Sequence, residues 1–204
     1  MPPRHQADVV RRARALLDRT ITGHGVTVRI TEVEAYGGIE DPASHAFTRT
    51  PRSEIMYGPA YRLYVYRSYG IHFCANVVTG PTEIGAAVLL RAGEVVEGHE
   101  LARFRRGETP PERDVNLARG PGNLAQALGI TLDDLGTDLL AAHDDRDFTG
   151  VRLGPEPRTR KRTSAGPRVG VSKAADVPWR FWLEGDPTVS AYKRSPRAPR
   201  PPQS

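Results

Sequence analysis

Apolar residues recur along this chain with two different periods. Val9, Val10, Ala13, Leu16 and Leu17 fall at helical spacing, so residues 6–18 are predicted to form an amphipathic helix. In "GVTVRITEVEAY" the period drops to two: Val26, Val28 and Ile30 alternate with Thr27, Arg29 and Thr31, the pattern of a strand with one buried face. Extending that parity puts Glu32, Glu34 and Tyr36 on the side of the valines. A carboxylate there has to be paired, neutralised or held in a cleft. The alternative is a strand that frays or bulges after Ile30 and leaves both glutamates in water.

Residues 37–60, rich in Gly, Pro, Ser and Thr, read as a loop carrying His45. Leu63 and Val65 then alternate with Tyr64 and Tyr66, "RSYG" turns the chain, and Ile71, Phe73, Ala75 and Val77 return opposite His72, Cys74, Asn76 and Val78. This is a hairpin with Tyr69 at or beside its tip. "AAVLLRA" (86–92) is a further strand with Arg91 near its end, "EGHELARFRR" a helix, and "RGPGNLAQALG" (119–129) a short helix with a Gly-Pro start and a glycine stop. "PEPRTRKRT" (155–163) is a basic loop, and "PRVGVSKA" and "WRFWLEG" read as closing strands. Residues 195–204 lack the apolar groups to offset their ordering entropy and are expected to form a disordered, basic, Pro-rich tail. With no internal repeat, the expectation is one mixed α+β domain over residues 1–194, built around antiparallel strands.

Composition narrows the setting. At 204 residues and 22.4 kDa the chain can bury the core of a single domain. Its one cysteine, Cys74, cannot form an internal disulfide, and no paired Cys/His zinc spacing occurs, so neither a metal nor a cofactor is expected. No apolar run approaches the roughly 20 residues of a bilayer span, and the N-terminus lacks the apolar centre of a secretory signal. The expectation is a cytoplasmic protein without a membrane partner. The formal charge of +5 is uneven: residues 151–204 hold 12 Lys/Arg against 4 Asp/Glu, residues 1–150 hold 17 against 20. A basic segment beside a near-neutral body fits a polyanionic partner, and fits a solubilising surface equally well.

Tyr36, His45 and Tyr66 converge near Glu34 if the 37–60 loop folds back over the strand, giving aromatic walls, an imidazole and a carboxylate suited to a flat heteroaromatic ligand. Taken singly, His45 reads as a loop imidazole bonded to backbone, and Tyr64 and Tyr66 as cross-strand packing partners. A ring at the position of Tyr69 has little core within reach. It is a candidate to wedge between base pairs, with a partner-protein contact or a fold-back onto the hairpin as alternatives. "GPGN" at a helix start offers free backbone N–H groups to a phosphate, and is also a common structural start. The rival to an enzyme is a non-catalytic DNA binder using the same hairpin, which has no use for a carboxylate in an aromatic pocket beside a polyanion. A weaker rival acts on RNA or free nucleosides.

At "EVEAYGGIEDPASH", "MYGPAYRLYVYRSYGIHFCANV", "AAVLLRA", "LARGPGNLAQALGI" and "PRVGVSKA" the sequence resembles the alkyladenine (3-methyladenine, methylpurine) DNA glycosylase family, in order and over most of residues 8–192. The resemblance implies a curved antiparallel sheet with surrounding helices and a hairpin that protrudes into the DNA minor groove. It implies flipping of alkylated purines out of double-stranded DNA and hydrolysis of the N-glycosidic bond by a monomer, leaving an abasic site. Deaminated and etheno purines are further candidate substrates, and the place of action would be the nucleoid. By position in the family's motifs, Glu34 would be the general base, with Arg91 helping it hold the attacking water. Tyr36, His45 and Tyr66 would line the base pocket, Asn76 would crowd the 2-amino group of guanine, and Tyr69 would be the intercalating wedge.

Overall fold

Residues 4–107, 111–141, 148–159 and 161–200 are described by a computed structural model of the chain. The first helix, α1 (Arg4–Leu16), places Val9, Ala13 and Leu16 in the core, while Asp8 pairs with Arg12 one turn later on its outer face. It starts earlier than its apolar spacing predicted and stops at Leu16, because Asp18 takes a left-handed backbone (φ 64°).

The strands form one curled antiparallel sheet: β1 (Thr20–Gly23), β2 (Val26–Tyr36), β3 (Leu63–Ser68), β4 (His72–Val78), β5 (Ala87–Glu97), β6 (Ala118–Arg119), β7 (Val151–Leu153), β8 (Thr163–Gly166) and β9 (Arg180–Leu183). The main order is β3-β4-β5-β2-β1-β7, with β6 on β5, β9 on β2 and β8 on β9. With the two other helices, α2 (His99–Arg105) and α3 (Pro121–Leu128), this makes a single mixed α+β domain, as expected. Helix α3 begins with Pro121 and ends at Gly129 (φ 73°), the start and stop read from the sequence. Strands β1, β6, β7 and β8 were not anticipated. "PRVGVSKA" is not a strand: its amides turn to side chains and to the C-terminal segment, with Val169 N–H donating to Glu34 and Gly170 N–H to the Lys193 carbonyl.

The central strand β2 departs from simple alternation. Val26, Val28 and Ile30 enter the core, and so do Val33 and Ala35, so the core face changes from even to odd positions. The register shows why. Ile30 pairs with Gly93 and Glu32 with Ala92, leaving Thr31 as an extra residue on β2; Val33 then pairs with Leu90, leaving Arg91 as an extra residue on β5. These two facing bulges correct the parity expected from the sequence: Glu32, Glu34 and Tyr36 lie on the face opposite the valines. The strand bulges after Ile30 but does not fray into water: β9 pairs beside residues 32–34, Val169 and Ser190 meet the two carboxylates, and both glutamates are fully buried. Gly93 permits the bulge, because a Cβ there would stand 2.5 Å from the Arg29 carbonyl oxygen.

Of the tail expected over 195–204, residues 201–204 lie outside the described residues. Residues 195–200 carry a turn closed by Ala198 N–H on the Ser195 carbonyl.

Candidate active site

Directly opposed residues of neighbouring strands share a face. Tyr64 opposes Asn76, Asn76 opposes Leu89, and Leu89 opposes Glu34, so one row crosses β3, β4, β5 and β2 on the side away from the main core. Tyr66 opposes Cys74 on the same face. The loop between β2 and β3 folds back over this row and delivers His45, which opens a 3-10 turn (His45–Phe47) capped by Ser44, whose hydroxyl accepts the Ala46 N–H. The result is a cavity of about 440 Å³, within the usual range of small-molecule sites. Glu34, Tyr36, His45, Tyr66, Tyr69, Asn76 and Arg91, all singled out in the sequence, line this one cavity.

Glu34 is held on both oxygens. Tyr36 Oη donates to Oε2 at 2.9 Å, Val169 N–H donates to Oε1 at 2.6 Å, and Arg91 Nη1 stands 3.3 Å from Oε1. Burial, followed by the Glu34 charge, pushes the Tyr36 hydroxyl well above its ordinary pKa, so it remains a donor. Beneath the Tyr36 ring lies Arg168, 1% exposed, which pairs with Asp41 and donates to the Ala35 carbonyl.

Glu32 serves a different purpose. Its carboxylate accepts Arg91 Nε at 3.0 Å, Arg180 Nε at 2.6 Å, the Ser190 amide at 2.7 Å and the Ser190 hydroxyl at 3.0 Å. Three of these donors converge on Oε1 and one on Oε2, and Glu32 does not line the cavity; it acts as the anchor of Arg91. The bulge on β5 is what turns Arg91 between the two glutamates.

The opposite wall is aromatic. His45 Nδ1 is 2.9 Å from Tyr64 Oη, and the imidazole meets Tyr66 edge-on with ring centroids 4.6 Å apart. Desolvation and then the nearby Arg52 guanidinium push the His45 pKa down to about 4; the ring edge is open to solvent at the rim, which screens the effect without reversing it. Burial raises the Tyr66 hydroxyl and the Cys74 thiol, leaving both neutral. Asn76 is fixed by Nδ2 donating to the Tyr64 carbonyl at 3.0 Å. Tyr64, read from the sequence as sheet packing, is also part of this wall.

At the cavity mouth the β3–β4 hairpin ends in Tyr69, 96% exposed, with Ile71 73% exposed beside it. Tyr69 and Gly70 both take positive φ (48° and 70°) and Ile71 N–H donates to the Ser68 carbonyl, closing the tight turn. Tyr69 does not fold back onto its hairpin.

The described part of the basic 155–163 loop is not brought to this cavity: Glu156, Pro157, Lys161 and Thr163 line a separate one with Arg14 and Asp18, and Lys161 pairs with Asp18 at 3.1 Å. Contributors that the sequence did not reveal are Val169 and Ser190, which act through the main chain or from far along it, and Arg52, one cation among several in the loop.

The family profile described as Methylpurine-DNA glycosylase (MPG) matches residues 4–187. A protein of Mycobacterium tuberculosis (strain H37Rv) named "Putative 3-methyladenine DNA glycosylase" is 53% identical over 198 residues, covering 94% of this chain and 93% of its own. Relatives with the same name from Mycobacterium sp. (strain KMS) and Mycobacterium leprae (strain Br4923) are 50% and 52% identical, over 96% and 95% of this chain and 95% and 89% of their own. The site described above is therefore carried by a chain that belongs to the methylpurine-DNA glycosylase family.

Proposed function

We propose that the protein is a monofunctional DNA N-glycosylase that flips a damaged purine out of duplex DNA and hydrolyses its bond to the sugar. The observation that carries this is a buried carboxylate, Glu34, inside an aromatic-walled cavity whose mouth bears a solvent-exposed tyrosine on a hairpin tip. Flipping costs a few kcal/mol, least for a damaged base, and Tyr69 offsets it by filling the space the base vacates. Tyr36, His45 and Tyr66 stack on the extruded purine, and Asn76 crowds a 2-amino group.

Cleavage passes through an oxocarbenium-like sugar. Ordinary glycosidases use two carboxylates, an acid for the leaving group and a base or nucleophile for the other face. Here Glu32 is fully engaged by its donors, so one carboxylate is free to work. Glu34, with Arg91 beside it, holds a water, takes its proton as oxygen attacks C1′, and the glycosidic electron pair leaves with the base. A purine alkylated at N3 or N7 is cationic and departs neutral, so it needs no acid. Among the described residues no lysine lines the cavity, which favours water over an amine as nucleophile. The protein acts as a monomer on nucleoid DNA.

The test is incubation with duplexes carrying 3-methyladenine, 7-methylguanine or hypoxanthine, then alkaline cleavage of abasic sites. Strand breaks at the alkylated purines are expected. Lesion binding without breaks would make the protein a binder.

A further inference from the structure

Arg52 is the unexplained charge of the site. Its guanidinium carbon lies 4.9 Å over the Tyr66 ring, it lines the cavity that holds Glu34, and it makes no ion pair with a carboxylate among the described residues. Of the other cations close to the cavity, Arg91 is paired by Glu32 and Glu34 and Arg168 by Asp41, while Arg67 lies over the ring of Phe73, away from the Tyr64–Tyr66–His45 wall. Arg52 therefore projects an uncompensated positive charge onto the Tyr64–Tyr66–His45 wall, while the carboxylate sits at the Tyr36 side. Burial first and Arg52 second lower the pKa of His45 on the same wall.

We propose that Arg52 is a specificity-determining residue that disfavours a cationic purine in the pocket and drives its positive charge toward the sugar as the glycosidic bond breaks. The inference rests on the reading of Tyr66 and His45 as the wall that holds the flipped base. When an N-alkylated purine leaves, the bond's electron pair goes to the base, which becomes neutral, and the positive charge appears on the sugar until the water held by Glu34 adds and loses its proton. A fixed cation beside the base destabilises the bound state, in which the base is charged, more than the transition state, in which it is losing that charge. A neutral purine carries no charge for Arg52 to act on when it binds.

The test compares wild type, Arg52→Gln and Arg52→Lys on duplexes carrying 7-methylguanine, which is cationic, or hypoxanthine, which is neutral, with affinity measured for both and single-turnover base release for the first. For 7-methylguanine, Arg52→Gln is expected to bind about threefold more tightly yet release the base about threefold more slowly per bound complex, the scale for loss of one solvent-exposed, screened unit charge behind the Tyr66 ring. Affinity for the hypoxanthine duplex should change by much less, and Arg52→Lys, which keeps the charge while giving up the planar stacking on Tyr66, should retain most of the wild-type difference between the two duplexes. Equal shifts in affinity for both duplexes, or weaker binding with a shallower salt dependence, would make Arg52 a phosphate or packing contact and overturn the proposal alone. Absence of base release by wild type would instead overturn the glycosylase reading on which it rests.

Discussion

The Tyr36 hydroxyl donates to the carboxylate of Glu34, two residues earlier on the same strand, at 2.9 Å. The aromatic ring and the carboxylate are thus one rigid unit, clamped from the other side by the Val169 amide. Residues two apart on a strand share a face, which is why the spacing E-A-Y suffices to build it.

Glu34→Gln keeps the shape of this unit and removes its capacity to take a proton. Lesion-duplex affinity should persist while single-turnover base release falls by about 100- to 10,000-fold, the usual span for losing a general base. Undiminished release of 3-methyladenine would remove Glu34 from the mechanism.

Glu32→Ala strips two buried guanidiniums, Arg91 and Arg180, of their shared acceptor. Breaking a buried ionic cluster on one side costs about 3–5 kcal/mol, so denaturant midpoint and Tm should both drop clearly. A variant as stable as wild type would show that Ser190 and Glu34 can hold Arg91 unaided.

Tyr69 separates function from stability. Its ring contributes nothing to the core and its backbone is left-handed, so Tyr69→Gly should hold or raise Tm. The same change should abolish the rise of 2-aminopurine fluorescence beside a lesion that reports flipping. Unchanged flipping would assign the wedge elsewhere on the tip, with Ile71 the next candidate.

His45 supplies a pH signature. Its pKa is pushed from the ordinary 6.5 to about 4 in the folded protein, so the unfolded chain takes up the proton first as pH falls. The His45 contribution to stability is complete above about pH 6.5 and is lost progressively toward pH 4. Imidazole NMR should give a midpoint well below 6.5, and Arg52→Gln should move it upward. A midpoint at or above 6.5 would mean that the ring is freely solvated.

The site was legible in the sequence where chemistry and pattern collide. Glu34 stood out as a carboxylate on a strand, and Tyr69 as a large ring at a turn. The parity argument nevertheless assigned Glu34 to the wrong face. A bulge inserts one residue without changing composition, so nothing in "RITEVE" marks Thr31 as unpaired; the trace lies in Gly93, sixty residues on, where β5 must pass close. Val169 escaped notice for another reason. It contributes a main-chain N–H, which every residue but proline has, and only tertiary structure says which one is aimed at a carboxylate.

That dependence has a consequence for biosynthesis. Tyr36 and Arg91 are made soon after Glu32 and Glu34, yet the two amides and the hydroxyl that complete their hydrogen bonding belong to Val169 and Ser190, made much later. A nascent chain that lacks those residues holds two carboxylates whose burial is only partly compensated, which disfavours full docking of β2. The cavity is then completed only when the stretch carrying Val169 and Ser190 packs against β2.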